Sequence, residues 1–152
     1  MKKIILFLTV TSFLISCNSE SKTNNSEKSD PMSGYMVGND EKSEAMLSFT
    51  KAYQDNNIGS VKSLFSENAI FHINDIDMSF EEVKEGFSAG HNFFDNIKHS
   101  EFDVSTMYYN DGQIFTNYWY TWSATSKMTN NEITLKGYCW FKWEDDKVVE
   151  VY

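Results

Sequence analysis

Two stretches of the chain decide its fold: residues 113–127 read QIFTNYWYTWSATSK, and residues 132–144 read EITLKGYCWFKWE. Both are rich in tyrosine, tryptophan, phenylalanine, threonine and isoleucine. These side chains fit a pleated, half-buried surface, so both stretches are predicted to be strands.

Turn residues and flanking strands extend this pattern into a sheet. Asn-Asp-Gly at 110–112, Thr-Asn-Asn at 129–131 and Glu-Asp-Asp at 144–146 are typical of hairpin turns, because Asn, Asp and Gly tolerate positive φ. With residues 101–109 in front and 147–152 behind, the sequence predicts a meander of four antiparallel strands.

The two faces of the meander are both rich in large side chains. Alternation along the second stretch places one set on a single face: Ile133, Leu135, Cys139, Phe141 and Trp143. The opposite face still carries Tyr138 and Trp140, and a sheet with one solvated face usually alternates more cleanly. We therefore expect the chain's own helices to cover one face and a second copy to cover the other. The hairpin register leaves open whether Trp119 or Trp122 shares a face with Cys139.

The first 17 residues have the pattern of a targeting segment. Two lysines precede the short apolar run 4–15, and residues 14–17 (LISC) resemble the lipobox of bacterial lipoproteins. The resemblance implies a signal peptide over residues 1–16, acylation of Cys17, and anchoring in the bacterial cell envelope, at the outer membrane or its periplasmic face. The alternatives are an ordinary secretory signal or a membrane-spanning helix, and a dozen apolar residues are too few to span a bilayer.

Residues 17–40 are predicted to be an acylated, disordered tether. They are rich in Ser, Asn, Lys and Glu and contain the only proline, Pro31, so they offer little apolar surface to bury. Tyr35, Met36 and Val37 form their only apolar cluster. Residues 41–152 are the expected folded domain.

Charge and composition limit the partners and cofactors. Removal of residues 1–16, which contain two lysines and no acidic residue, takes the net charge from −9 to −11, and the chain has no arginine. An acidic chain without guanidinium groups is a poor nucleic-acid binder. With Cys17 acylated, Cys139 has no disulfide partner, and the three histidines lack metal-site spacing. We expect no metal and no cofactor.

Three helices are predicted ahead of the meander, at residues 41–54, 58–65 and 79–99. One strand is predicted between the second and third helices, at residues 69–74. Asn39 or Asp40 caps the first helix and Asn57 the second. Ser79 and Glu82 form a capping box for the third. The apolar stripe of that third helix consists of Val83, Phe87, Phe94 and Ile97.

This order of elements resembles the nuclear transport factor 2-like superfamily, which includes SnoaL-like polyketide cyclases and steroid isomerases. The run YQDNNIGSVKSLFSENAIFHIN at 53–74 carries the likeness, which extends over residues 41–152. It implies an α+β, cone-shaped fold in which three helices pack on a curved antiparallel sheet. An apolar pocket inside the cone and dimerisation through the outer sheet face are also implied.

The resemblance tests the known acid–base chemistry of steroid isomerases. These enzymes use a Tyr on the first helix, an Asp after the first strand and a second acid on a late strand. The corresponding positions here are Phe49, Ile73 and Cys139. A phenyl ring and an aliphatic chain transfer no proton, and a thiol is a poor replacement for a carboxylic acid. The isomerase reaction is therefore disfavoured.

The histidines and one pair of aspartates are the other candidates for chemistry. His91 lies four residues after Phe87, so it is the candidate acid or base facing the pocket. His72 is expected to point away from the pocket, and His99 to end the third helix, where a cation complements the helix dipole. Asp75 and Asp77 are interpreted as turn residues.

The sequence thus predicts a lipid-anchored envelope protein whose domain binds a small apolar ligand. Two alternatives remain open: an isomerase, cyclase or dehydratase that uses His91, and a homodimeric interaction module whose interface contains Tyr138 and Trp140. The predicted pocket residues are Phe49, Tyr53, Ile73, Phe87, His91, Cys139 and Phe141.

Overall fold

The structure, a computed structural model, describes residues 30–152. The predicted signal peptide, Cys17 and the first part of the predicted tether lie outside the described residues. The helices are α1 (Glu41–Gln54), a 3₁₀ helix (Ile58–Leu64) and α2 (Phe80–Gly90). The strands are β1 (Gly34–Val37), β2 (Phe65–Ile73), β3 (Ile76–Met78), β4 (Phe94–Tyr109), β5 (Ile114–Ser126), β6 (Glu132–Glu144) and β7 (Lys147–Val151). None of these helices is long and apolar enough to cross a membrane.

The seven strands form one sheet in the order β1-β4-β5-β6-β7-β2-β3. The predicted meander is confirmed, because β4 to β7 pair consecutively and antiparallel. Strand β2 pairs parallel with β7, so the sheet is mixed and the expectation of a purely antiparallel sheet is wrong. A long crossover through α2 and the meander separates β2 from β7, and such a connection permits parallel pairing. The α+β fold class with three helices on the sheet is confirmed.

Helix α2 is shorter than predicted. It ends at Gly90, and the chain enters β4 at Phe94, so His99 lies on a strand and not at a helix end. Phe94 and Ile97 had been assigned to the apolar stripe of the predicted helix. A bulge adds one residue to a strand, so two residues that are three positions apart can lie on the same face of a bulged strand. Register shifts interrupt the pairing of β4 with β5 in two places, and Asn96 and Glu101 have positive φ there. Such bulges bend a strand and increase its twist.

The caps of the helices were largely predictable. The Asp40 side chain accepts a hydrogen bond from the Ser43 amide at 2.9 Å and so begins α1. The Ser79–Glu82 capping box is present. Asn57 precedes the 3₁₀ helix, but its side chain makes no capping hydrogen bond. Asn57 therefore occupies the predicted N-cap position, but the predicted hydrogen bond from its side chain is absent.

Strand β1 orders part of the predicted tether. Gly34–Val37 pairs antiparallel with β4, and the Tyr35 ring stacks on Tyr108 with centroids 4.9 Å apart. Gly34 permits this close approach, because a Cβ atom there would lie 2.9 Å from the carbonyl carbon of Tyr108. The apolar cluster at 35–37 therefore docks on the domain.

The core lies between the helices and the inner face of the sheet. Phe49 of α1 meets Phe65 edge-on at 5.6 Å and Phe141 at 5.3 Å between ring centroids. Met46 and Phe141 are fully buried. Each such side chain contributes about 1.5–3 kcal/mol through burial, so this cluster fixes how α1 sits on the sheet.

A chain of buried hydroxyls connects the core to the start of α1. The Trp143 indole N–H donates to Thr116 Oγ1 at 2.9 Å, and Thr116 Oγ1 lies 2.9 Å from Thr106 Oγ1. Thr106 in turn donates to the Asp40 carboxylate at 3.0 Å, and Tyr108 donates to the other carboxylate oxygen. Hydrogen bonds from Ser43, Tyr108 and Thr106 hold the pKa of Asp40 below its usual value against the opposing effect of burial.

Candidate functional site

A cavity of about 530 Å³ opens between the helices and the inner face of the sheet. Aromatic side chains from α1, α2 and β5 form much of its wall: Phe49, Tyr53, Phe87, Tyr120 and Trp122. Ile73 of β2, Cys139 of β6 and Val151 of β7 add to the apolar surface, and the lining also contains the polar residues His72, Asn74 and Lys136. The volume is within the range of small-molecule sites in proteins.

Five of the seven predicted pocket residues line this cavity: Phe49, Tyr53, Ile73, Phe87 and Cys139. Phe141 is fully buried in the core and does not contribute to the wall. The register of β5 against β6 pairs Trp122 with Leu135 and Trp119 with Tyr138. Trp122 therefore shares the inner face with Cys139, and Trp119 lies on the outer face.

His91 does not face the cavity, so the predicted inward orientation is wrong. It follows the last residue of α2, and its Nε2 donates to the main-chain carbonyl of Tyr53 at 2.8 Å. Its ring lies edge-on to the Tyr53 ring, with centroids 5.8 Å apart. Because α2 ends at Gly90, the residue four positions after Phe87 has already left the helical stripe. His91 connects the end of α2 to α1.

His99 lines the cavity together with His72, and the sequence did not indicate the position of His99. It lies on β4 opposite Trp122, and its ring stacks on Tyr120 with centroids 4.1 Å apart and an interplanar angle of 9°. Its Nδ1 is 3.3 Å from the Tyr118 hydroxyl, and its main-chain N–H donates to Gln54 Oε1 at 3.0 Å. Gly90 with Asn92 was the available signal that the helix ends before His99, but the register shifts of β4 break the alternation that would place His99 on the inner face.

The protonation state of His99 follows from its surroundings. Burial lowers the pKa of the imidazole to about 4, because a desolvated cation is disfavoured. The ring is therefore neutral near neutral pH. Its Nε2 atom is buried and has no hydrogen-bond partner among residues 30–152.

The other polar groups of the wall are paired or neutral. The Trp122 indole N–H donates to the Tyr53 hydroxyl at 3.0 Å. Burial raises the pKa of Tyr120 and of Cys139 to about 12. A thiol with so high a pKa is protonated at physiological pH, and it is therefore not a nucleophile.

His72 is one of the residues that line the cavity, and the two aspartates lie next to it in the β2–β3 hairpin. The His72 ring stacks on Tyr152 with centroids 4.0 Å apart, and its Nδ1 is 2.6 Å from Asp77 Oδ1. Asp75 has the positive φ of a turn residue. Asp77, in contrast, belongs to β3 and pairs with His72 across the β2–β3 hairpin. Within residues 30–152, no group of three or more His, Cys, Asp or Glu side chains is placed to hold a metal ion.

The three positions compared with steroid isomerases are all on the cavity wall. Phe49, Ile73 and Cys139 line the cavity, and the thiol of Cys139 is protonated because burial raises its pKa to about 12.

The outer face of the sheet exposes several aromatic side chains. Trp119 and Tyr138 are each 48% exposed, and their ring centroids are 5.0 Å apart. Trp140 stacks on Tyr152 at 4.0 Å. The predicted interface residues Tyr138 and Trp140 thus lie on the outer face of the sheet, and Tyr138 also borders the cavity.

Three helices on a curved mixed sheet around an aromatic cavity define a nuclear transport factor 2-like domain. The model of one family, described as SnoaL-like domain, matches residues 46–151. The chain belongs to this family. No curated protein matches the sequence.

Solved structures similar to the chain share its fold at low sequence identity. One is a "putative polyketide cyclase" from Xanthomonas campestris pv. campestris, with 10% identity, coverage of 71% of this chain and 84% of that chain, and a TM-score of 0.57. Another is an NTF2-like protein of unknown function from Exiguobacterium sp. 255-15, with 16% identity, 70% and 93% coverage, and a TM-score of 0.55. A third has a ketosteroid isomerase-like fold, comes from Catenulispora acidiphila DSM 44928 and contains trimethylamine, with 11% identity, 71% and 82% coverage, and a TM-score of 0.52.

Proposed function

We propose that the protein binds a small, uncharged and largely apolar molecule in this cavity. The observation that carries the proposal is the cavity itself, with a volume of about 530 Å³ and walls of Phe, Tyr and Trp. His99 and Cys139 on its wall are neutral, because burial lowers the pKa of His99 and raises that of Cys139, and the charge of Lys136 in the lining is paired with Glu101 at 2.8 Å. Concave, mostly apolar sites of this size bury most of the surface of a small ligand.

The residues of the cavity favour a ligand-binding protein over an enzyme. Phe49, Ile73 and Cys139 stand at the isomerase positions, and none of them is an acid or base at physiological pH. The alternative that used His91 lacks geometric support, because His91 Nε2 is engaged by the Tyr53 carbonyl. Some solved structures of this fold are named as cyclases, but identities this low support a shared fold and not a shared reaction.

Naphthalene is a suitable first probe, since it is uncharged, planar and smaller than the cavity. The chain carrying Cys17→Ser, which cannot be acylated, is purified without detergent and titrated with naphthalene by calorimetry. Saturable binding at one site per chain is expected. Cys139→Phe adds a ring at the cavity wall and should weaken binding by at least about 10-fold, an effect of about 1.4 kcal/mol.

Thr134→Phe is the matched control for this experiment. Thr134 is exposed on β6 and lies on the opposite face from Cys139, so the added ring stays outside the cavity. This variant should bind naphthalene as the parent chain does. Absence of saturable binding, or equal affinity in the Cys139→Phe chain, would refute the proposed cavity function.

Lipid anchoring through Cys17 is the second part of the proposal. The lipobox-like residues 14–17 and the short apolar run before them support it, and two or more acyl chains hold a protein stably at a bilayer. In labelled bacteria, the wild-type chain should incorporate palmitate into the membrane fraction, and Cys17→Ser should abolish this. Processing that is insensitive to globomycin would contradict the anchor and its cell-envelope location.

Homodimerisation through the outer sheet face is the third part. The exposed Trp119 and Tyr138 support it, because exposed apolar patches commonly mark interaction surfaces. The Cys17→Ser chain is expected to sediment as a dimer, and Tyr138→Lys should shift it to the monomer by burying a charge at the interface. A monomeric parent chain, or a dimer that Tyr138→Lys leaves intact, would argue against this interface.

A further inference from the structure

We propose that the hydroxyl group of Tyr120 is the polar contact of the cavity and that it selects, through a hydrogen bond, ligands that carry an uncharged oxygen on an otherwise apolar body. The inference rests on the proposed function and adds the chemical class of the ligand. That class is a neutral, mostly hydrocarbon molecule with one carbonyl or hydroxyl group that reaches the β5–β6 part of the wall.

The Tyr120 side chain crosses the inner face of the sheet from β5 to β6. Tyr120 and Gly137 both line the cavity, and they face each other across the two strands. The Tyr120 hydroxyl oxygen is 2.7 Å from the point where a Cβ atom of residue 137 would lie. Because glycine leaves this space open, the ring lies over β6 and carries its hydroxyl along the cavity wall.

Two neighbouring rings hold the Tyr120 ring in this orientation. The ring stacks on His99 with centroids 4.1 Å apart and an angle of 9°. It stacks on Tyr118 at 4.9 Å and 21°, and Tyr118 is almost completely buried. The hydroxyl therefore has a fixed place on the wall before any ligand arrives, which lowers the cost of binding.

The Tyr120 oxygen is unpaired and accessible. Tyr120 is half-buried, and its hydroxyl has no hydrogen-bond partner among residues 30–152. In that range, the one buried side-chain nitrogen or oxygen atom without a partner is His99 Nε2, so the Tyr120 oxygen is not buried. Because Tyr120 lies on the inner face and lines the cavity, a molecule reaches this oxygen from the cavity.

The other polar groups of this wall do not compete for the Tyr120 hydroxyl. The Trp122 indole N–H donates to the Tyr53 hydroxyl at 3.0 Å, and the Tyr118 hydroxyl lies 3.3 Å from His99 Nδ1. A hydrocarbon that fills the cavity removes water from the Tyr120 hydroxyl and leaves it unpaired, which is costly. A ligand oxygen replaces the lost hydrogen bond, so the site favours ligands that bring one.

The charges around the cavity favour an uncharged oxygen over a carboxylate. Partial burial raises the pKa of Tyr120 to about 12, so its hydroxyl is a neutral donor and acceptor at physiological pH. Lys136 of the lining is paired with Glu101 at 2.8 Å, and His72 Nδ1 is 2.6 Å from the Asp77 carboxylate. A carboxylate in the cavity would therefore lose its hydration without gaining a free counter-ion.

Two probes of nearly equal shape isolate the hydrogen bond. In 2-acetylnaphthalene a C=O group stands where 2-isopropenylnaphthalene has C=CH₂. The Cys17→Ser chain is titrated with both by calorimetry, and the ratio of their dissociation constants is compared between variants, which cancels their different solubilities in water. Tyr120→Phe keeps the ring and its stacking and removes only the hydroxyl. The preference for the ketone is expected to fall by about 10-fold in Tyr120→Phe.

Tyr35→Phe is the matched control, because it removes a hydroxyl from a residue that is 63% exposed and lies outside the cavity lining. It should leave the preference unchanged. Infrared spectra of bound, ¹³C=O-labelled 2-acetylnaphthalene report the contact itself, since a hydrogen-bond donor lowers the carbonyl stretching frequency. The band should lie at a lower frequency in the Cys17→Ser chain than in the same chain with Tyr120→Phe.

The outcomes separate the two levels of the proposal. If neither these probes nor naphthalene bind the Cys17→Ser chain, the proposed cavity function is wrong and the role of Tyr120 falls with it. If the probes bind but the preference or the carbonyl frequency is the same with Tyr120 and with Phe at this position, the inference about Tyr120 alone is overturned.

Discussion

Replacing Gly137 with alanine is expected to destabilise the domain and to distort the cavity wall around His99. Gly137 lies opposite Tyr120 across β5 and β6, and the Tyr120 ring crosses the space that a side chain would occupy. A Cβ atom at residue 137 would lie 2.6 Å from Tyr120 Cε2 and 2.7 Å from its hydroxyl oxygen. Carbon atoms in contact are normally about 3.5–4.0 Å apart, so the ring must move by roughly 1 Å.

The movement is costly because the Tyr120 ring packs against two other rings. Its ring lies 4.1 Å from His99 and 4.9 Å from Tyr118, measured between centroids. Overpacking of this kind costs about 1–3 kcal/mol. Alanine recovers about 0.5–1 kcal/mol through its lower backbone entropy in the unfolded chain. The midpoints of these two ranges leave an expected net loss of about 1 kcal/mol, which corresponds to a fall in Tm of about 3–6 °C.

Urea denaturation followed by tryptophan fluorescence measures this loss, and the His99 ring proton shifts in NMR report the displaced stack. Gly86→Ala is the matched control, because nothing lies within 4 Å of a Cβ atom there and residue 86 is inside α2. That variant should gain about 0.5–1 kcal/mol. A Gly137→Ala chain as stable as the wild type, with unchanged His99 shifts, would refute the close packing of Tyr120 over Gly137.

Two further predictions concern the core and the acid side of the stability curve. Thr116→Val removes the acceptor of the buried Trp143 indole N–H and should cost about 1–3 kcal/mol in urea denaturation; a loss below about 0.5 kcal/mol would count against the hydroxyl chain. For His99, the pKa is about 4 in the folded state against 6.5 unfolded, so the unfolded state takes up the proton first as pH falls. Stability should therefore decline between about pH 6.5 and pH 4, by about 1–2 kcal/mol after allowance for partial exposure of the ring. His99→Phe should remove this decline, and an identical pH profile in the variant would contradict the lowered pKa.

The β-rich half of the fold was predictable because its signals are local. Aromatic and β-branched runs separated by Asn, Asp and Gly turns define hairpins without any knowledge of distant contacts. The caps at Asp40 and Ser79 are local in the same way. The parallel pairing of β2 with β7 has no such local signal, because it joins two strands that are far apart in the sequence.

The cavity was partly predictable, and its polar centre was not. Alternation along β6 placed Cys139 on the inner face, and the family likeness indicated Phe49 and Ile73. His99 was missed because Phe94 and Ile97 extend the spacing of Val83 and Phe87, so a helix and a bulged strand give the same apolar pattern over residues 83–97. The bulges of β4, where Asn96 and Glu101 have positive φ, also break the alternation that would have shown which way His99 points.

The most direct measurement of the central claim is native mass spectrometry of the full-length protein purified from the membranes of its own cells. The wild-type chain should carry about one neutral, largely apolar molecule, and Cys139→Phe should carry none. A wild-type chain that is reproducibly empty, or a species retained equally by Cys139→Phe, would contradict a ligand-binding cavity.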